Sequence, residues 1–294
     1  MDAVIMRIEE ALTMQMSEHF ASNLADHSMI ESVIHELNSM RPYDHWIATG
    51  EISRLTKRSP ENRENAVTAL LNLSIYEDNK GIIVSSGAIP GIVHVLSKGS
   101  MVARENSAAT LFSLSVIDEK ELMIGSAKAI SPLVFLLSEG TERAKRMATN
   151  ALFNLCIYES NKKRAVRAGV VPMLMKLLKE PHGLLKDKAI AILAILSMHL
   201  KGRLAIGKAE AMPILIQIFR SGSPMNKENA VIVLVELCLE DQKYLVKVQE
   251  FGAMDKIIHL LEHGTYRGKD ERVGIIFVIW PNDHFYLHNV IVTM

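Results

Sequence analysis

A pattern that recurs about every 41 residues constrains the fold of this chain more than any other feature of its sequence. The start of one helix falls at the same position of each repeat, at intervals of 41, 41, 41 and 42 residues. This position holds Pro90, Ser131, Pro172, Pro213 and Asp255. One column of small residues and two columns of leucine keep the same step: Ala66, Ser107, Ala148, Ala189 and Ala230; Leu70, Leu111, Leu152, Leu193 and Leu234; and Leu73, Leu114, Leu155, Leu196 and Leu237. A fixed step of this length predicts a repeat protein whose units stack on one another.

Each repeat is predicted to contain three helices. Short amphipathic segments at 79–87 and 161–169 predict the first, and the apolar spacing in 87–98 predicts the second, which Gly99 and Ser100 end. The third helix, over 103–115, is expected to bury one stripe and to turn another face away. The buried stripe holds Ser107, Ala108, Leu111 and Leu114, and the other face holds Asn106, Ala109, Thr110 and Ser113. Such a unit buries its apolar face only against a neighbour, which describes an α-solenoid.

Four phrases of the sequence carry a resemblance to a known family. They are AVTALLNLSIYEDNK, ENSAATLFSLSVIDE, ATNALFNLCIYESNK and AIAILAILS. These phrases resemble the armadillo repeats of plant U-box E3 ubiquitin ligases, and the resemblance covers roughly residues 28–272. It implies an all-α fold, a right-handed armadillo-repeat α-solenoid, also called an α-α superhelix.

The domain organisation predicted from the sequence has four parts. Residues 1–27 are Met-rich and acidic and are expected to form a helix that caps the core, with a partner-binding helix as the alternative. Residues 28–75 are expected to hold truncated or fused repeats, and 76–272 four to five ordinary repeats. Residues 273–294 are apolar and depart from the family, so this tail is interpreted as a strand-like cover, an alternative exon or read-through.

The fused segment is identified by a third-helix pattern that occurs twice in close succession. Ala48, Ile52 and Leu55 precede Ala66, Leu70 and Leu73 by 18 residues, where the repeat step is 41. The difference of 23 residues (41 minus 18) corresponds to a missing first and second helix. The alternative is an unusual helical linker that keeps the pattern.

The search for chemistry in the sequence is largely negative. Phosphate-binding, dinucleotide, nucleophile-elbow and zinc motifs are absent, so no catalytic residue, cofactor or metal ligand is assigned. Cys156 and Cys238 share a column with three serines and are expected to be small buried residues. His94 and His259 share a column that also accepts Lys176, which indicates an exposed helix face.

Composition and charge limit the classes of partner and location. The formal net charge is zero, which does not favour nucleic-acid binding. The longest apolar run, 189–198, is shorter than the roughly 18 residues that a membrane-spanning helix needs. The first residues lack a cleavable secretory signal. A cytoplasmic and/or nuclear location is therefore expected, while the oligomeric state does not follow from the sequence.

The resemblance implies a protein-binding groove lined by the third helices. At the column of the family's peptide-gripping asparagine the chain has Asn72, Ser113, Asn154, Ile195 and Glu236. Further groove candidates are Asn65, Asn106 and Asn150. Asparagine can both donate to and accept from a peptide main chain. The alternative for Asn72 and Asn154 is hydrogen bonding to neighbouring loops.

A basic region is a second candidate surface. Residues 143–188 hold eleven basic and three acidic side chains, and the residues singled out are Arg143, Arg146, Lys162, Lys163 and Arg164. They are interpreted either as solvated outer faces of helices or as a docking surface for an acidic protein segment.

The function expected from these features is that of a protein-interaction module. Its partner would be an extended peptide or a helical segment in the groove. The resemblance implies a substrate- or regulator-binding role in ubiquitin transfer, without catalysis by this chain, because no U-box is found in its 294 residues.

A catenin-like scaffold is the alternative. A nuclear-import receptor is less favoured, because the column at Thr68, Ala109 and Asn150 holds no tryptophan. An enzyme with an unrecognised site comes last.

Hydrogen exchange tests the predicted fused segment. We expect lower protection for residues 44–75 than for residues 105–156, because two third helices that pack directly leave a core stripe without its usual partners. Equal protection of the two segments would contradict a weak junction.

Overall fold

The computed structural model of the protein describes residues 60–116, 120–180, 183, 185–255 and 257. Within these residues the secondary structure consists of α-helices, with no strand. The predicted cap at 1–27, the part of the fused segment before residue 60, and the tail at 273–294 lie outside the described residues. The helices divide between two units, unit 1 ending at Val170 and unit 2 beginning at Val171.

The described residues of unit 1 form three third helices, together with first and second helices. The third helices are α1 (Pro60–Leu73), α4 (Met101–Leu114) and α7 (Glu142–Cys156). The first helices are α2 (Glu77–Ser85), α5 (Lys120–Ser126) and α8 (Glu159–Arg167), and the second helices are α3 (Ile89–Lys98) and α6 (Ile130–Glu139). α1 packs on α4 and α4 packs on α7, while α3 and α6 pack on the third helix that follows each of them. The predicted order of three helices is therefore confirmed.

Unit 2 repeats this order. Its helices are α9 (Val170–Lys179), α10 (Lys186–Ser197), α11 (Leu200–Lys208), α12 (Met212–Ser221), α13 (Pro224–Glu240) and α14 (Gln242–Glu250). The third helices α10 and α13 pack on each other, and α12 packs on α13.

A glycine followed by a hydroxyl residue makes the tight turn into the third helix. In unit 1 the pairs are Gly99-Ser100 and Gly140-Thr141. Ser100 Oγ accepts from the backbone N–H of Ala103 at 3.1 Å, and Thr141 Oγ1 accepts from that of Ala144 at 3.0 Å. These bonds satisfy donors that a helix start leaves unpaired. A Cβ at Gly140 would lie 2.5 Å from a backbone oxygen, so the turn has no room for a side chain.

The three periodic columns form the core. All fifteen residues of the small column and the two leucine columns are buried, from 0% to 7% exposed. Burial of this kind stabilises a protein by roughly 1.5–3 kcal/mol per leucine side chain. The repeat step thus brings together the residues that the sequence predicted to be inside.

The expectation of a single buried stripe on α4 is wrong. Ser107, Leu111 and Leu114 are buried as predicted, but Asn106 (7% exposed) and Thr110 (0%) on the other face are buried too. The reason is that α4 packs against a third helix on each side, α1 and α7. Amphipathic spacing describes one face of a helix, whereas an internal repeat has two neighbouring repeats.

Both cysteines are buried free thiols, as predicted. Burial raises the pKa of the Cys156 and Cys238 thiols to about 12, with Lys162 opposing part of the effect at Cys156. They remain protonated at neutral pH and pack as small apolar groups. The serines of the same column each donate to the carbonyl three residues earlier, at 2.8 Å: Ser74 to Leu71, Ser115 to Phe112, and Ser197 to Ala194.

The exposed helix face predicted from the histidine column is confirmed where it is described. His94, Phe135, Lys176 and Gln217 are all exposed. His259 lies outside the described residues.

The turn between the first and second helices needs a left-handed backbone. Gly87 (φ 77°), Gly169 (φ 79°) and Gly252 (φ 59°) adopt it, as do Lys128 (φ 67°) and Glu210 (φ 51°). Residues with a Cβ are strained in this region, whereas glycine is not.

We expect Lys128→Gly to raise the free energy of unfolding by about 1 kcal/mol, because it removes left-handed strain at an exposed position. Urea denaturation measures the change. Gly87→Ala is the matched control and should lower the free energy of unfolding. The new Cβ would have no atom within 4 Å, so the loss would come only from placing a residue with a Cβ in the left-handed backbone conformation. A loss of stability in Lys128→Gly would contradict the strain argument.

Candidate functional site

The third helices of unit 1 carry all six predicted groove residues. Asn65 and Asn72 lie on α1, Asn106 and Ser113 on α4, and Asn150 and Asn154 on α7. Within each helix the two residues are seven or four apart, which places them on one side of the helix. We call these six residues the polar face.

Three polar-face residues already hold neighbouring repeats together. The Ser113 hydroxyl donates to the backbone oxygen of Ser74 at 2.6 Å, and Asn154 Nδ2 donates to Ser115 Oγ at 3.0 Å. Asn106 Nδ2 donates to Thr68 Oγ1 at 3.0 Å. The alternative role of Asn154, hydrogen bonding to a neighbouring loop instead of to a peptide, therefore accounts for one of its two N–H donors.

Two amides of the polar face keep their full capacity for hydrogen bonding. Asn72 and Asn150 are half-buried, and their side-chain amides have no hydrogen-bond partner in the part of the chain that the structure describes. Each carries two donors and one acceptor. Asn154 retains its oxygen and a second N–H, while Asn65 is only 9% exposed.

The predicted basic residues lie on two helices, and one of them is not on the surface. Arg143 and Arg146 on α7 and Lys163 on α8 are exposed, and Arg164 is half-buried. Lys162 is 8% exposed and pairs with Glu159 at 2.9 Å, so including it in an exposed basic surface is wrong. Its long stem is buried while its ammonium reaches a carboxylate.

One stripe of α7 combines a cation with amides. Arg146, Asn150 and Asn154 follow one another at intervals of four residues and share one side of the helix. Arg146 is exposed and has no partner within the described residues. This stripe therefore offers guanidinium and amide donors to an acceptor group such as a carboxylate or a peptide carbonyl.

An acidic clasp between repeats was not predicted from the sequence. The Glu105 carboxylate accepts from the Thr141 hydroxyl at 2.5 Å and from Arg143 Nη1 at 2.6 Å. One repeat earlier, the Ser100 hydroxyl donates to Glu64 at 2.8 Å. In the sequence, this contact corresponds to a glutamate that lies 36 positions before the Ser or Thr at the start of the next third helix. Because Arg143 neutralises Glu105, whose side chain is only 11% exposed, this carboxylate does not oppose an acidic ligand on α7.

The predicted column of groove residues offers no free polar group at its two positions in unit 2. Ile195 is apolar, and Glu236 is 5% exposed and accepts from Arg203 Nη1 at 3.2 Å. Arg203 also donates through Nε to Glu240 at 2.8 Å and through Nη1 to the backbone oxygen of Ser197 at 3.1 Å. Glu236 therefore belongs to an ion-pair network within unit 2.

The described residues offer neither a cluster of metal ligands nor a single membrane-spanning helix. Among them, no group of three or more His, Cys, Asp or Glu side chains could hold a metal ion. No single helix there has the length and apolar character to cross a membrane, and the pair α2 and α3 meets that test only jointly, with a bend of 88°.

Comparison with known families identifies the repeats. The family described as the plant U-box protein ARM repeat region matches residues 55–268. The chain belongs to this family. The resemblance inferred from the sequence is thus confirmed, and the protein is a protein-interaction module of the armadillo type.

Two curated relatives come from Arabidopsis thaliana. U-box domain-containing protein 10 is 42% identical over 96 residues, which covers 24% of this chain and 15% of the relative. U-box domain-containing protein 12 is 51% identical over 79 residues, covering 18% of this chain and 12% of the relative. The matches span only a small part of these longer proteins.

Solved structures share the fold. A computationally designed armadillo repeat protein for modular peptide recognition has a TM-score of 0.65 at 19% identity and covers 78% of this chain and 98% of its own. A designed armadillo repeat protein in complex with the peptide (KR)4 has a TM-score of 0.58 at 18% identity, covering 84% and 98%. The expected all-α armadillo-repeat solenoid is confirmed.

A double-mutant cycle tests the acidic clasp. We expect Glu105→Ala and Thr141→Ala to show a coupling energy of about 1–2 kcal/mol in urea unfolding, because a charge-assisted hydrogen bond to a largely buried carboxylate is lost with either partner.

The matched control is a second cycle on α7. Glu142 and Lys145 form an exposed pair at 3.0 Å, and their coupling should be about 0.3–0.5 kcal/mol because water screens it. Similar coupling in the two cycles would show that the clasp does not fasten α4 to α7.

Proposed function

We propose that the polar face of unit 1 binds an extended protein segment through its main chain. The observation that carries this proposal is the α7 stripe, where the half-buried Asn150 lies between Arg146 and Asn154 and its amide has no partner among the described residues. The atoms of this amide are accessible to water, so pairing them with a ligand replaces bonds to water and is worth a net of about 0.5–1.5 kcal/mol per hydrogen bond.

Charge favours an acidic segment. Arg146 is exposed, and the carboxylate of Glu105 is already occupied by Arg143 and Thr141. A carboxylate near Arg146 would form a charge-assisted hydrogen bond. A designed armadillo repeat protein binds the basic peptide (KR)4. In this chain the cations of such a peptide would be repelled by the Arg146 guanidinium. They would also find no aromatic ring to pack on, since the column at Thr68, Ala109 and Asn150 has none.

The family suggests what such binding is for. The relatives are named for a U-box domain, and we propose that these repeats select substrates or regulators for ubiquitin transfer by such a ligase. In this proposal the repeats supply the binding. We further propose that this takes place in the cytoplasm and/or the nucleus.

Capture from a plant extract tests the proposal. Immobilised wild-type chain is compared with an Asn150→Ala, Asn72→Ala double variant, and we expect a defined set of proteins to be lost or reduced at least about tenfold. These proteins should change their ubiquitination when the wild-type chain, but not the variant, is added to the extract with ATP.

His94→Ala is the control, because this residue lies on the exposed face of α3 and outside the polar face. Folding of each variant is checked by its urea midpoint. An unchanged partner set in the double variant would contradict binding at the polar face. Partners that depend on the polar face without any change in ubiquitination would favour a catenin-like scaffold.

A further inference from the structure

Unit 1 exposes one apolar residue at the end of each third helix. Ile75 is 66% exposed, Val116 51% and Ile157 56%. The three residues are separated by the repeat step of 41, and the same column holds the 43% exposed Met198 in unit 2. We call Ile75, Val116 and Ile157 the apolar edge. A row of exposed apolar side chains marks an interaction surface more often than isolated ones do.

The apolar edge adjoins the polar face but is a separate feature. Ile75 donates its backbone N–H to the backbone oxygen of Asn72 at 3.3 Å, and Ile157 donates its own to the backbone oxygen of Asn154 at 3.2 Å. Each apolar residue thus lies three residues beyond a polar-face position, at the end of its helix. The polar face consists of side chains on the third helices, whereas the apolar edge consists of residues in the turns that follow these helices.

An acidic residue accompanies each member of the apolar edge two positions later. These residues are Glu77, Asp118 and Glu159. The Glu77 and Glu159 side chains are 73% and 67% exposed, while Lys80 and Lys162, which pair with them, are 10% and 11% exposed. At these two described positions, the exposed member of the ion pair beside the apolar residue is therefore the carboxylate.

The spacing of the apolar edge determines which backbone fits it. Packed helices lie about 8–10 Å apart, so successive members of the edge recur at about that distance. Residues seven apart on an α-helix lie on one side, about 10.5 Å apart. In a strand, residues on one side recur at about 6.7 or 13 Å, which does not match.

We infer that the apolar edge binds an amphipathic helix of a partner protein, with apolar residues at every seventh position and lysine or arginine beside them. The partner's apolar side chains meet Ile75, Val116 and Ile157, and its cations meet the exposed carboxylates of Glu77 and Glu159. Residues 273–294 of this chain do not have the composition of this partner, because they contain no lysine or arginine. This surface is independent of the segment proposed for the polar face.

A synthetic helical peptide tests the inference. The probe has about 22 residues, with leucine at every seventh position, lysine beside each leucine and alanine elsewhere. We expect saturable binding to the full chain by fluorescence anisotropy. Val116→Gln should weaken it at least about fivefold, because a buried apolar contact is lost.

Val102→Gln is the matched control. It changes the same residue type at nearly the same exposure, 53% against 51%, but near the opposite end of α4. It should leave the affinity unchanged, as should Asn150→Ala on the polar face. A peptide of the same composition with leucine at every fifth position, and one with glutamate in place of lysine, should each bind at least about fivefold more weakly.

Three outcomes would overturn the inference. They are equal effects of Val116→Gln and Val102→Gln, equal binding of the peptide with altered leucine spacing, and no saturable binding up to about 1 mM. Sedimentation of the chain alone provides a further check. Self-association that Val116→Gln abolishes would show that a second copy, and not a partner helix, occupies the apolar edge.

Discussion

The packing of each third helix against its neighbours is the constraint on which unit 1 depends. α4 lies between α1 and α7, and the two leucine columns fill the space that this arrangement encloses. A single repeat would leave these leucines in water, which is why stacking is required for stability. The tight turns at Gly99-Ser100 and Gly140-Thr141 serve this packing by starting α4 and α7 at equivalent points.

Polar groups along the same helices are divided between holding repeats together and remaining available to a ligand. Ser113, Asn106 and one donor of Asn154 bond to the preceding repeat, whereas the Asn72 and Asn150 side chains have no partner among the described residues. A donor that already has an internal partner gains little by exchanging it for a ligand. Binding capacity is therefore concentrated at fewer positions than the column of asparagines suggests.

Several features of unit 1 and unit 2 follow from residue type and spacing. The buried leucine columns, the buried cysteines, the exposed face at His94 and the three-helix order were all predicted from the sequence, and the family was inferred from its repeat phrases. The site was harder to predict. Periodicity did not reveal that Lys162 is buried and pairs with the exposed Glu159, or that Glu236 pairs with Arg203, because each depends on how a side chain meets its surroundings in the fold.

The sequence by itself determined the repeat step, the order of the helices and the residues that form the core, because each of these depends on the spacing of apolar residues along one chain. Only the tertiary structure decided which polar groups stay free and which apolar residues stay exposed. Glu105 is joined to Thr141, 36 positions away, and Ile75, Val116 and Ile157 are exposed alike although 41 residues separate each from the next. The physical reason is that the burial and bonding of a side chain depend on atoms from the neighbouring repeats, which its local sequence does not specify.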